Sequence, residues 1–383
     1  MNSTQSHLDL ERLPEDQQED EGDLKAGKIK YGGTVSMTVD WTIETIFSQV
    51  EKGNIELDPA FQRRAAWDAV RKSRLVESLV VGMPVPNIVL AENRAHRGRY
   101  IVIDGKQRVL AISEFMQNKF ALKGLDIRTD LDGLIFSDLS VEDRSAFENA
   151  TFRSTVIKGW SDEQFLYAIF FRLNSGSLAL SPQELRRAIV GGNLLDAIEN
   201  YIQQSSAFHS VISATLDRRM RDSELVLRFV AFDRRLEDYD GDLKNFLDET
   251  AKLFEQNWAV KQSEVVQYFH RLDRALVTAD SVFGGQPFKK WTDDHYERVI
   301  NRAVFDVIAR FFAEEDVAKA SLAKAAEIEN EFKRVSMESE FRQAVERTTK
   351  TELATKTRIN MWGVALATCI GMKYDSASMR VIP

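Results

Sequence analysis

Tyr100-Ile101-Val102-Ile103-Asp104-Gly105-Lys106-Gln107-Arg108-Val109-Leu110-Ala111-Ile112-Ser113-Glu114-Phe115-Met116 changes its period in the middle. Four β-favouring residues lead into Asp104-Gly105. Val109, Leu110, Ile112, Phe115 and Met116 then return at helical spacing, so Gly105 to Arg108 read as a strand-to-helix turn. Such a turn exposes the first backbone amides of a helix, whose partial positive charge favours an anion. Gly105 permits close backbone approach, Lys106 and Arg108 supply cationic donors, and Asp104 supplies a carboxylate able to hold magnesium or orient a water. Each charge-assisted hydrogen bond contributes about 1.5–3 kcal/mol, so three or four support micromolar binding of a phosphate-bearing ligand, foremost a nucleotide. Asp-Gly alone is also a common turn dipeptide, so the reading depends on its neighbours.

Upstream, Val39 to Val50 reads as a short helix or a strand-to-helix entry, and Asn54 to Leu57 as a strand ending at Asp58-Pro59. Asp68 caps a helix whose apolar positions Val70, Leu75, Val76, Leu79 and Val80 share a face, and Gly82 with Pro84 stops it. Ile88-Val89-Leu90 forms a hairpin-like pair with Tyr100 to Ile103. Downstream, Ser161-Asp162-Glu163-Gln164 opens a helix that closes near Asn174-Ser175-Gly176. Ser181-Pro182-Gln183-Glu184 opens another that closes at Gly191-Gly192. From about residue 194 helical periodicity dominates, as in Leu225 to Phe232, Leu243 to Phe254, Val265 to Val277 and Val299 to Phe312.

Further cations and amides surround the turn in sequence: Gln62-Arg63-Arg64, Arg172 with Asn174, and Arg186-Arg187. Singly, each is an ordinary solvated basic surface. In order, they are recognisable. Phe61-Gln62-Arg63 with Trp67, Pro84-Val85-Pro86, Ile103 to Arg108, Phe171 to Gly176 and Leu180 to Arg186 together resemble the bacterial family catalogued as domain of unknown function 262. The resemblance covers residues 35 to 195 and extends through Glu224 to Phe229, Leu243 to Phe246 and Asn301 to Asp306.

The resemblance implies a ParB and sulfiredoxin-like fold, found in restriction and antiphage systems such as the Gmr type and phosphorothioate-sensing nicking enzymes. It implies nucleotide binding, and in some members hydrolysis, through a signature usually written Asp-Gly-Gln-Gln-Arg. By position, Asp104 is then the metal-binding or water-orienting carboxylate, Gly105 the close-approach residue, and Gln107 and Arg108 the phosphate-side donors. Gln62 and Arg63 line the same pocket, and Arg172 and Asn174 close it. Lys106 departs from the usual glutamine, adding a phosphate partner and bearing on hydrolysis or base preference.

The expected class is α+β: residues 1–28 an acidic disordered tail, 29–193 a ParB-like nucleotide-binding domain with a small sheet, and 194–383 an all-α domain. The 383 residues carry a formal net charge of −8, which argues against coating nucleic acid by bulk charge. Arg218-Arg219, Arg221 and Lys289-Lys290 are the clusters that could still touch DNA phosphates. No apolar run spans a bilayer, and Cys369 is the single cysteine, so the expected setting is cytoplasmic and reducing, with no membrane partner. His7, His96, His209, His270 and His295 are scattered, which argues against a nuclease of the His-Asn-His type and against a zinc site.

The function expected is a nucleotide-binding sensor or switch of a defence system, with NTP as ligand, Mg2+ as its companion ion, and DNA or a separately encoded effector protein as further partners. Two alternatives stand beside it: a ParB-like nuclease that cuts DNA with metal held at Asp104, and a non-enzymatic adaptor subunit.

Overall fold

The computed structural model describes residues 32–57, 67–94, 96–173, 181–213, 215–217, 219–256, 258–347 and 349–383. Asn174, Gln62 and Arg63 lie outside them, as do the acidic tail and Arg218. The chain divides into two compact units between Ile189 and Val190. The architecture is α+β, with a small mixed sheet in the first unit and helices dominating the second.

The first unit runs β1 (Val35–Thr42), α1 (Ile43–Glu51), β2 (Ile55–Glu56), α2 (Ala69–Val80), β3 (Ile88–Glu92), β4 (Tyr100–Asp104), α3 (Lys106–Met116), α4 (Val141–Asn149), β5 (Thr151–Lys158), α5 (Glu163–Leu173) and α6 (Pro182–Ile189). Polar caps set the helix starts. Thr42 accepts from the Thr45 N–H at 3.1 Å, Asp68 from Arg71 at 2.8 Å and Ser140 from Asp143 at 3.0 Å. Ser181 and Glu184 form a complete capping box, the serine hydroxyl accepting from the Glu184 N–H at 3.1 Å and the carboxylate from the Ser181 N–H at 2.6 Å.

The sheet order among the described strands is β1-β5-β3-β4-β2. β3 and β4 pair antiparallel, as two β-favouring runs separated by the polar segment Glu92 to Arg99 predict, while β3 and β5 run parallel and β1 pairs antiparallel with β5 from Val35–Lys158 to Thr42–Thr151. Alternate side chains serve two cores. Ile88, Leu90, Val102, Phe152 and Val156 join Val76, Leu79, Val109, Ile112 and Phe115 on the α2 and α3 side. Val89, Ala91, Ile101, Ile103 and Ile157 join Trp160, Leu166, Tyr167 and Leu185 on the α5 and α6 side. Because β3 is buried on both faces, its sequence is a continuous apolar run.

Glu77 of α2 points inward, where it accepts from the N–H groups of Asp126, Ile127 and Arg128 at 3.3, 2.7 and 2.7 Å. Burial opposes ionisation there, but the three amides outweigh it and hold the carboxyl below its ordinary value.

The second unit comprises α7 (Asn193–Gln204), α8 (Ser206–Val211), α9 (Arg221–Arg235), α10 (Leu243–Glu255), α11 (Trp258–Val282), β6 (Lys289–Trp291), β7 (Tyr296–Ile300), α12 (Arg302–Phe312), α13 (Glu315–Ala323), α14 (Ala325–Ser336), α15 (Ser339–Glu346), α16 (Glu352–Ile370), β8 (Lys373–Asp375) and β9 (Arg380–Ile382). The helices enclose one apolar core, while two short antiparallel hairpins, β6-β7 and β8-β9, interrupt the helical succession. The helix expected from Val299 begins only at Arg302. Val299 and Ile300 finish β7, and Asn301 caps α12 by accepting from the Val304 N–H at 3.0 Å.

This core also holds charge. Arg228 and Asp306 pair within it, Arg302 reaches Glu224 at 3.2 Å, and Arg358 reaches Asp306 at 3.4 Å, all five side chains being at most 5% exposed.

Candidate functional site

β4 delivers Asp104 to the end of the sheet, and Gly105 turns the chain into α3 with φ +89° and ψ +13°. Glycine is required here twice over. The left-handed backbone disfavours a side chain, and a Cβ would sit 2.4 Å from Ile88 Cγ2 and 2.9 Å from Arg108 Nη2. The Arg108 guanidinium therefore lies over Gly105 in space that only a missing side chain leaves.

One nitrogen of Arg108 joins two strands. Nη2 donates to Asp104 Oδ2 at 2.8 Å and to the main-chain carbonyl of Asn87 at 3.0 Å, tying the end of β4 to the residue before β3. Arg108 Nε is buried and has no hydrogen-bond partner. Asp104 keeps its second oxygen, Oδ1, out of this pairing, and the side chain is 32% exposed. Gln107 accepts from the Trp67 N–H at 3.4 Å, which links the turn to the start of α2.

Lys106 points the other way. It is 6% exposed and lies 3.5 Å from Glu184, so the same carboxylate that completes the α6 capping box also meets the first residue of α3. Arg186 is fully buried and donates to Gln183 at 2.7 Å. Arg172 is exposed in the last turn of α5. Thus the structure brings Asp104, Gly105, Gln107 and Arg108 together on one side of the turn and places Lys106 on the α6 side.

Residues 43–191 match the family described as GmrSD restriction endonuclease, N-terminal domain. That stretch ends two residues beyond the first unit, and the match indicates a restriction- or defence-related protein. No curated protein matches the chain, and no solved structure does.

Within the first unit a groove of about 670 Å³ opens at the same end of the sheet, between the Gly82–Asn87 loop and α4. Leu79, Val80, Met83 and Val85 give it an apolar floor, and Asn87, Asn149 and the Asp40–Arg153 pair, at 3.3 Å, give it polar walls. The Pro84-Val85-Pro86 motif is visible in the sequence but the groove is not, because the β1-β5 pairing that supplies Asp40 and Arg153 joins segments over 100 residues apart, as the separation of 113 between those two residues attests.

The basic clusters of the helical unit are engaged internally. Arg221 pairs with Asp217 at 3.0 Å, and Lys290 with Glu297 at 2.7 Å and Glu346 at 2.9 Å. Cys369 is half-buried, and burial pushes its thiol up from the ordinary value. Among the described residues no cluster of three or more His, Cys, Asp and Glu could hold a metal ion, and no helix is long and apolar enough to cross a membrane.

Proposed function

We propose that the β4-α3 turn binds the phosphates of a nucleoside triphosphate, and that its occupancy is the signal in a bacterial restriction or antiphage system. The observation that carries this is the Arg108 guanidinium. Asp104 and Asn87 take both hydrogens of Nη2, which fixes the plane of the fork, while Nε stays buried without a partner beside the glycine turn. Leaving a buried donor unmade costs about 1–3 kcal/mol, so a phosphate oxygen placed against Nε has a driving force built into the fold. The N-terminal end of α3 adds its partial positive charge at the same point.

The residues fit a magnesium ion that shares its coordination with the ligand. Mg2+ commonly takes one or two carboxylates together with substrate phosphates, and Asp104 Oδ1 is the carboxylate oxygen that Arg108 does not use. When bound, the ion neutralises phosphate charge. Asp104 would also orient a water for hydrolysis, and Gln107, positioned by Trp67, would hold the phosphates from the α2 side. Gln62, Arg63, Arg172 and Asn174 complete the proposed pocket, and DNA and a separately encoded effector are the proposed downstream partners.

Titration calorimetry with ATP, GTP, CTP and UTP in the presence of Mg2+ tests the reading. Saturable binding by the wild type that disappears in Arg108→Ala is the expected result. Equal affinity in the two proteins would remove Arg108 from the site and overturn the proposal. Phosphate release that depends on Asp104, with and without DNA, separates a binding switch from a hydrolase.

A further inference from the structure

The groove beside the turn is lined by Pro84 and Val85 of the Pro84-Val85-Pro86 motif and lies outside the proposed phosphate site. Its position follows from strand register. Asp40 pairs with Arg153, Ile88 pairs with Ser154, and Val89 pairs with Asp104. Asp40, Arg153, Asn87 and Asp104 therefore follow one another along one end of the sheet, across three inter-strand steps or about 14 Å at ordinary strand spacing. Asn87 belongs to both regions: its side chain lines the groove, and its carbonyl accepts from Arg108.

We infer that this groove receives the nucleobase of the nucleotide whose phosphates occupy the β4-α3 turn. The inference rests on the proposed phosphate site and extends it. The volume lies within the range of small-molecule pockets, which is about 300–1,000 Å³. The surface has the mixture that a heteroaromatic ring requires. Met83 and Val85 on the loop and Ala146 on α4 line it as apolar surfaces for the ring faces, and the edges meet amides. Asn87 donates from Nδ2 to Thr155 Oγ1 at 3.2 Å, and Asn149 donates from Nδ2 to the Ser145 carbonyl at 2.9 Å, so each amide is oriented and keeps its Oδ1 for a ring substituent. Arg153, paired with Asp40, lines the groove farther along the sheet. A ligand lying from this groove to Arg108 would follow the row of strand ends, ring at one end and phosphates at the other.

The test compares ATP and CTP with inorganic tripolyphosphate on the full chain by calorimetry, using the wild type, Ala146→Trp and Met83→Trp. Both positions are exposed, one on a helix surface and one on a loop, so an indole there fills the groove from either wall. The expected result is that wild type binds the nucleotides at least tenfold more tightly than tripolyphosphate. Each variant should reduce nucleotide affinity to the tripolyphosphate level while binding tripolyphosphate as the wild type does, which also shows that it is folded. Wild-type protein that binds nucleotides and tripolyphosphate equally would overturn the inference and leave the phosphate site standing. So would tighter nucleotide binding that persists undiminished in both variants. Failure of every ligand, tripolyphosphate included, to bind wild type would overturn the phosphate site and the inference with it.

Discussion

Arg108 and Asn87 are joined by a 3.0 Å hydrogen bond from Nη2 to a main-chain oxygen, and the same nitrogen reaches Asp104 at 2.8 Å. A lysine cannot reproduce this, because a single ammonium cannot hold two acceptors and present a planar fork to a third. Arg108→Lys should therefore lower nucleotide affinity by tenfold or more, equivalent to about 1.5–3 kcal/mol for a lost charged hydrogen bond, despite keeping its charge. Calorimetry on the two proteins checks this; affinity retained in the lysine variant would mean that charge alone suffices.

Lys106 stands where the resembled family carries glutamine, and the sequence suggests a phosphate donor. Its burial against Glu184 suggests instead a tie between α3 and α6. Lys106→Met should then reduce stability by about 3 kcal/mol, the usual result of stranding one member of a buried pair, and change tripolyphosphate affinity less than twofold. A strong loss of affinity with unchanged stability would restore the phosphate role.

In the helical unit, Asp306 accepts from Arg228 Nε at 3.0 Å and from Arg228 Nη2 at 2.5 Å, and it also meets Arg358. Burial would lower the Arg228 guanidinium, but Asp306 reverses that and raises it; Arg358, less well compensated, is pulled down to about 10. Asp306→Asn would remove the carboxylate that buried Arg228 and Arg358 share. We expect a loss of about 3–5 kcal/mol in urea denaturation. The combined Arg228→Met, Arg358→Met and Asp306→Leu replacement should recover much of it, since both arginines that met Asp306 are then apolar.

Glu77 yields a pH prediction. Its folded-state value is depressed, so it contributes stability above its unfolded value, about 4.3 for an ordinary glutamate, and that contribution disappears as pH falls through the lower folded value. Glu77→Gln should be less stable than wild type at neutral pH, and the difference should shrink as pH falls below about 4.3. Denaturation midpoints measured from pH 7 to pH 3 would show the two curves converging; parallel curves would remove Glu77 from the account.

Local features were legible because their causes are local. The Asp68 and Ser181 caps, the β3-β4 pair and the turn at Gly105 each depend on residues only a few positions apart, and each stands where the periodicity puts it. β5 was not legible: Thr151 to Lys158 alternates only weakly, and its partners β1 and β3 lie far away in sequence. Val299 and Ile300 read as helix because a strand end and a helix start share apolar residues, and Asn301, the cap that separates them, carries no distinctive neighbour. The direction of Lys106 was equally hidden. Its chemistry suits phosphate, and only the fold decides that it meets Glu184.

The row Asp40, Arg153, Asn87 and Asp104 is drawn from four strand ends that meet only when β1, β5, β3 and β4 have paired. A peptide cut from residues 100–116 would carry every letter of the Asp-Gly-Lys-Gln-Arg signature and none of its wiring: no Asn87 carbonyl, no Ile88 beneath the glycine, no Glu184 to turn the lysine aside. The short string that makes the chain recognisable is, by itself, chemically mute.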